Sequence, residues 1–419
     1  MKIAIIGTGI AGNVAAHYLA KEHDITVFEA NDYIGGHTHT HAVATPEGTY
    51  QVDSGFIVFN YVTYPNFTRL LSDLKVETQP SVMSFGVKCE ASGLEYMGST
   101  LNSLFAQRRN LFRPSFWGMI RDILRFNRSA AKILADESNA LTLSEHLDIE
   151  GYGEAFIKQY LMPMAAAVWS ADQNMLKQFP IRYLLQFFQN HGLVQIRNRP
   201  EWFVIKGGSK VYAEALTRAH REQIRLATPV TGVRRNNDSV TITSAFGEEI
   251  FDAVFIATHS DQALAVLQDP TPEETEVLGA IPYQKNDVLL HTDSSLMPAR
   301  RRAWAAWNYH LLHRSQDAVA VTYNMNILQG FQCEQQYCVT LNNSSAVDPE
   351  KVIARIAYHH PVYTPSSVAA QGRQGEINGV NRTYYCGAYW RYGFHEDGVV
   401  SALNALKHFA HRGSDEHAE

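Results

Sequence analysis

The sequence predicts an α/β fold, a doubly wound nucleotide-binding domain with an α+β substrate domain inserted into it. Three observations carry this expectation. A short apolar strand, Ile3–Ile6, runs into a glycine-rich turn and then a helical segment, Asn13–Lys21. A second strand, Ile25–Glu29, follows at once, so the three form a β–α–β unit whose right-handed crossover builds a parallel sheet. The end of the chain repeats this logic, with Thr383–Cys386 strand-like and Gly398–His411 helical.

Between these ends the pattern changes twice. Leu101–Val194 is rich in Leu, Phe, Arg and Gln, with helical spacing in Phe116–Phe126 and Tyr183–Phe188. Gly207-Gly208 introduces a helix near Lys210–His220, and two hairpin-like strands, Ser239–Ser244 and Glu249–Ile256, follow around a turn at Gly247. From Asp287 to Leu341 the reading is again strands: Val288–His291, Val319–Tyr323 and Tyr337–Leu341. The expected division is therefore discontinuous. Residues 1–75, 200–265 and 376–419 form the nucleotide-binding domain, and 76–199 and 266–375 the substrate domain with a helical cap.

Composition narrows the function classes. At 419 residues the chain exceeds one core, and 45% hydrophobic with 19% charged residues excludes disorder, collagen-like repeats and a coiled coil. A net charge of −6 leaves no footprint for nucleic-acid binding. Four cysteines without CxxC spacing fit a reducing compartment. The start, MKIAIIGTG, is too short an apolar run for a signal peptide. The longest apolar candidate, around Tyr160–Ala167, falls far short of the ~18 residues of a spanning helix. A cytoplasmic location is expected.

Gly7, Gly9 and Gly12 form G-x-G-x-x-G, with Ile10 and Ala11 opening the helix. Gly7 permits the tight turn, Gly9 lets a pyrophosphate approach the backbone, and Gly12 allows close helix–strand packing. The helix N-terminus offers N–H groups and a positive dipole end to the phosphates. Glu29 lies about twenty residues further on, where a carboxylate accepts ribose hydroxyls and repels a 2′-phosphate. NADP is thus disfavoured, while NAD and FAD are not yet separated.

The next motifs separate them. Ile34-Gly35-Gly36-His37, Val52-Asp53-Ser54-Gly55-Phe56, Gly207-Gly208-Ser209-Lys210, Thr228-Pro229-Val230 and Ala257-Thr258-His259 occur in the order found in one family. So do Tyr385-Cys386-Gly387 and Gly393-Phe394-His395-Glu396-Asp397-Gly398-Val399-Val400-Ser401. The chain resembles the flavin-containing amine oxidase and phytoene-desaturase superfamily. Within it, the chain is most similar to bacterial predicted FAD-binding proteins akin to fatty-acyl desaturating oxidases. The resemblance implies a flavoprotein oxidoreductase with non-covalent FAD. It implies cofactor contacts from Gly7, Gly9, Ile10, Ala11, Gly12, Glu29, Gly35, Gly36, His37, Gly55, Phe56, Val230, Gly387, Glu396, Asp397, Gly398 and Val399. In the family, an acid of the last motif meets the ribityl–phosphate region and a helix N-terminus points toward the flavin carbonyl.

The chain also departs from the family. His37 stands where an arginine is usual, which weakens one phosphate contact or makes it pH-dependent. Many amine oxidases hold a lysine near the flavin on a substrate-domain strand. By resemblance Asp287 falls at that position, with Lys285 one strand period earlier and facing the same side. These two are the only catalytic candidates. Cys386 precedes Gly387 in a strand, the wrong place for a covalent flavin link.

His37, His39 and His41 alternate, so on a strand they would share one face about 6–7 Å apart. No third ligand group is evident for a metal, so a polar strand face near the cofactor is the expectation. Trp307, Asn308 and Tyr323 are candidates for lining the pocket, as are Trp169 and Ser170, while Pro163 should interrupt its helix. Phe105–Phe126 interleaves aromatic residues with Arg108, Arg109, Arg113, Arg121 and Arg125. Such a segment either caps the substrate domain or lies on a membrane surface, peripheral to the inner membrane face.

The expected reaction is hydride removal from a carbon of an apolar, lipid or fatty-acyl small molecule. The alternatives are an amine or polyamine oxidase, a carotenoid-type desaturase, and a non-enzymatic FAD-binding sensor or scaffold.

Overall fold

The structure, a computed structural model, describes residues 1–169, 173–195, 199–313 and 320–415. At its centre is a five-stranded parallel sheet, in the order Thr383–Tyr385, Ala253–Ile256, Lys2–Ile6, Asp24–Phe28, Ile224–Arg225. Each strand is short and apolar because helices or a second sheet cover both faces. Ile3 and Ile5 face the first helix, Ile10–Leu19, and the C-terminal helix, His395–Asp415, packing with Val14, Ala15, Ala402 and Ala405. Ala4 and Ile6 point the other way, into a core with Val233, Ile242, Phe251, Val277 and Leu278. That core includes a three-stranded antiparallel sheet of Val230–Arg235, Val240–Ser244 and Gly247–Phe251.

The expected strand Glu249–Ile256 is in fact two. Gly247–Phe251 pairs antiparallel with Val240–Ser244, whereas Ala253–Ile256 pairs parallel with Ile3–Ile6. Asp252 makes the handover. Its N–H donates to Lys2 O at 2.8 Å, and its carboxylate accepts from Lys2 N at 2.6 Å. Apolar periodicity does not register a change of partner, so the sequence reads the two as one.

A seven-stranded sheet builds the second layer, in the order Val352–Pro361, Tyr283–His291, Cys338–Leu341, Ala320–Asn324, Trp307–Leu311, Phe85–Cys89, Leu94–Met97. Helices between Leu101 and Asn190 cap it. The long cap helix Pro114–Ala135 buries Phe116, Met119, Phe126, Ala130 and Ile133 and leaves Trp117 exposed. Pro163 does not interrupt its helix as expected. A wide π turn, Ile157–Leu161, connects Glu154–Phe156 to Met162–Trp169 and accommodates the missing N–H without a break. Ser170 lies outside the described residues. Among the described residues, no helix is long and apolar enough to cross a membrane.

Candidate cofactor site

The glycine turn sits at the carboxyl edge of the parallel sheet. Gly7 has φ +99°, and a Cβ there would lie 3.0 Å from Ala257 O. A Cβ on Gly12 would lie 2.0 Å from Gly7 O, so a side chain at either position conflicts with backbone. At Gly9 nothing lies within 4 Å of the Cβ direction, and no side chain caps the helix that follows. An open cradle beside unpartnered helix N–H groups suits a diphosphate. The helix begins at Ile10, three residues before the sequence suggests. Asn13 N donates to Gly9 O at 2.9 Å and Asn13 Nδ2 to Thr8 O at 2.7 Å.

Glu29 directly follows the second strand, Asp24–Phe28, and is buried. Its carboxylate accepts from Thr8 N at 2.8 Å, Asn31 N at 2.8 Å and Asn31 Nδ2 at 2.9 Å, which fixes it beside the turn. Thr228 N donates to Glu29 O at 2.7 Å and brings the Val230 strand to this end. Gly35 and Gly36 fold over the turn, and a Cβ on Gly36 would lie 3.3 Å from Gly9 Cα. These residues fit the ribose and diphosphate of FAD.

A second group surrounds Gly55. Its Cβ direction meets His37 O at 2.1 Å, and Phe56 N donates to the same oxygen at 2.8 Å. The Phe56 ring stacks on His395, centroids 3.5 Å apart. His395 Nε2 pairs with Tyr212 OH at 2.6 Å and with Thr38 Oγ1 at 3.1 Å. Neither Tyr212 nor His395 stood out in the sequence as a site residue. Asp53 is fully buried and accepts from Ser209 N at 2.9 Å, Ser209 Oγ at 2.8 Å and Gln329 Nε2 at 3.0 Å. Burial pushes its carboxyl up to about 6 despite these hydrogen bonds.

The C-terminal helix starts at His395, not Gly398, because the Asp397 carboxylate accepts from Phe394 N at 2.9 Å and caps it. Gly398 packs against the first helix, its Cβ direction 2.6 Å from Ile10 Cγ2, so the two helix N-termini converge. Ala11 and Val399 are buried in the shared core, and Gly387 N donates to Ser401 Oγ at 2.8 Å. Glu396 binds protein instead. It accepts from Asn66 N and Nδ2 and, at 2.9 Å, from Phe67 N, capping the helix Pro65–Asp73. Asp397 is buried with Arg391 Nε 3.6 Å away, and burial raises its carboxyl to about 7.

Other candidates lie elsewhere. Lys285 and Asp287 occupy one face of their strand as expected, but that face is exposed, and Asp287 accepts from Ser344 Oγ. The inward residue is Asn286, whose Nδ2 meets His360 Nδ1 at 2.9 Å. Spacing places the two on one face without saying which face is buried. Asn308 spends its amide within the sheet, on Ala305 N, Ala305 O and Thr322 O. Trp307 and Tyr323 pack edge to face with centroids 5.1 Å apart.

The strand after the glycine pair begins at Thr40, so His37 leaves His39 and His41 and stacks on Tyr358, centroids 4.6 Å apart. Among the described residues, no three His, Cys, Asp or Glu side chains form a group able to hold a metal. Cys386 is buried in the sheet core, its thiol pushed up to about 12, so no reactive thiolate is present at neutral pH.

Residues 10–299 match the family described as flavin containing amine oxidoreductase. The chain belongs to this family. The family is flavin-containing, and the open cradle at Gly9 and the carboxylate of Glu29 fit FAD. An L-amino-acid oxidase of Siganus canaliculatus is 23% identical over 329 residues, 70% of this chain. The chain spans 57% of that relative's length. Among solved structures, cyclohexylamine oxidase from Brevibacterium oxydans IH-35A superposes with TM-score 0.70 at 15% identity, covering 99% of both chains. A fatty acid isomerase from P. acnes, described as producing CLA, gives 0.69 at 16%, covering 97% of this chain and 98% of the other.

Proposed function

We propose that this chain removes hydride from a carbon of an apolar, lipid or fatty-acyl substrate, as a desaturase does. Bound FAD supplies the hydride acceptor. The protein supplies position, exclusion of water and fixed charge.

The observation that carries this reading is the character of the junction between cap and C-terminal segment. Its walls are aromatic. Phe187 stacks on Phe394 at 4.8 Å, Tyr183 lies 4.7 Å from Tyr392, and Trp169 lies 4.7 Å from Phe187. Trp169 Nε1 donates to Tyr392 O at 3.2 Å and locks cap to motif. The nearby buried acids are engaged: Asp53 by Ser209 and Gln329, Glu396 by Asn66 and Phe67, Asp397 by Phe394 and Arg391. An ammonium group entering this junction would lose water and meet only carboxylates already engaged by protein donors, whereas an alkyl chain loses nothing. A groove of about 650 Å³ opens beside it, lined among others by Val62, Pro65, Asn66, Gln189, Arg391 and Glu396. Arg391 suits the carboxylate end of an acyl chain.

The cap also carries an apolar patch rimmed by arginine. Phe112 is 86% exposed, Leu101 76% and Trp117 49%, with Arg108, Arg109 and Arg113 alongside. We read this as a contact with an anionic membrane surface from the cytoplasmic side, where such a substrate resides.

Amine oxidation is the second reading, and the likeness to an L-amino-acid oxidase and a cyclohexylamine oxidase favours it. Anaerobic bleaching of the flavin absorbance with fatty acyl lipids, amino acids, polyamines and carotenoids separates the two. Bleaching by acyl lipids alone is the expected outcome. Rapid bleaching by an amine with no response to any lipid overturns it.

A further inference from the structure

Four histidines from three distant segments meet beside the glycine turn. His37 follows Gly36, which lies against Gly9 at the open cradle. His259 follows the strand Ala253–Ile256, just beyond Ala257, whose carbonyl abuts Gly7. His359 and His360 come from the strand Val352–Pro361. The His37 ring lies 6.1 Å from His259 and 5.3 Å from His360, and His259 lies 6.2 Å from His359. Tyr358 and Tyr283 stack on His37 and His259, at 4.6 Å and 4.4 Å, and hold them in place. His37 Nε2 is sealed from solvent and has no hydrogen-bond partner.

The electrostatics are one-sided. Burial and mutual repulsion push His37 and His360 down to about 3 and His259 to about 4. The charged neighbours acting on these three are histidines, without a carboxylate. From the C-terminal helix, His395 adds a fifth imidazole, also lowered, with His37 among the causes. From the strand Tyr283–His291 the inward neighbour is the neutral Asn286, while Lys285 and Asp287 lie on its exposed face. Asp53, Glu396 and Asp397 are bound to other partners. A half-buried group of imidazoles without a counter-charge, beside a phosphate cradle, is suited to an anion.

We propose that this cluster is the charge partner of the FAD diphosphate and takes up protons from solvent when the cofactor binds. Two phosphate charges replace the repulsion with attraction, so imidazolium becomes the favoured form in the complex. Nothing covalent changes; the apoprotein, FAD and solvent protons combine into a protonated complex. By linkage, a group whose pKa is higher in the complex strengthens binding at low pH, and the gain is lost as pH rises through that value. The inference rests on FAD as cofactor and is independent of the substrate.

The test is calorimetric titration of FAD-stripped protein with FAD, in buffers of different ionisation enthalpy, between pH 6 and 8. The expected result is net proton uptake, with Kd weakening by up to about tenfold per pH unit for each proton coupled. His37→Gln should reduce the uptake and flatten that dependence. ADP-ribose, which carries the diphosphate without the flavin ring, should also take up protons. Zero uptake with a pH-independent Kd in the unsubstituted protein overturns the proposal, whatever the variant does. Uptake with FAD but none with ADP-ribose also overturns it, by placing the protons away from the diphosphate.

Discussion

A Cβ on Gly12 would lie 2.0 Å from the carbonyl oxygen of Gly7, whereas the same atom on Gly9, between them, would meet nothing within 4 Å. The two positions therefore fail differently. Gly12→Ala should destabilise the FAD-free protein by about 1–3 kcal/mol, as steric strain in packed structure does, and so lower its melting temperature. Gly9→Val should leave that temperature nearly unchanged and abolish FAD retention on gel filtration. Equal effects of the two on FAD-free stability would show that the cradle is not at Gly9.

Glu29 is held by Thr8 and Asn31 with its carboxylate beside the turn. Glu29→Ala removes charge-assisted hydrogen bonds to a ribose, each worth about 1.5–3 kcal/mol. FAD affinity, measured by fluorescence titration of stripped protein, should fall by at least about tenfold. Glu29→Gln, which can still accept, should fall less.

Asp397 titrates in the wrong range for a surface acid, its carboxyl raised by burial to about 7. A carboxyl with a raised folded-state pKa contributes stability that is full below its unfolded value, near 4, and is lost as pH rises through about 7. The melting temperature of the FAD-free protein should therefore lose part of its value between about pH 4 and 7. Asp397→Asn should flatten that decline. A steeper decline in the variant would contradict burial as the cause.

The cap patch predicts salt-sensitive binding to lipid. Sedimentation with vesicles containing anionic phospholipid should exceed that with neutral vesicles and weaken as salt rises toward physiological strength. Phe112→Ser should reduce binding at every salt concentration, because it removes buried apolar area. Replacing Arg109 and Arg113 with Gln should reduce mainly the low-salt binding. Equal binding to both kinds of vesicle would remove the membrane contact from the reading.

How far the sequence disclosed this site depended on the reach of each constraint. Gly7, Gly12 and Glu29 were legible because their reasons are local, a forced backbone turn and an acid at the next strand's end. The strand carrying Lys285 and Asp287 was legible as a strand, yet alternation alone cannot say which face a neighbouring layer covers. His259, His359 and His360 form a group with His37 only because a parallel and an antiparallel sheet end at the same place, and no short-range pattern records that. Tyr212 and His395, bonded to each other across the fold, were missed for the same reason.

The Asp53 carboxylate joins residues made at very different times. Ser209 lies 156 positions further along, Gln329 276 positions, and the helix that sets Gly398 against Ile10 is later still. A ribosome releasing the chain from its N-terminus exposes the glycine cradle first and its closing parts last. The complete site therefore waits for the last of these segments, and a nascent chain halted before Gly398 would carry the diphosphate turn without the helix that packs on Ile10. Contacts this distant in sequence also slow assembly, so the freshly made protein passes through a period in which its apolar strands stand exposed.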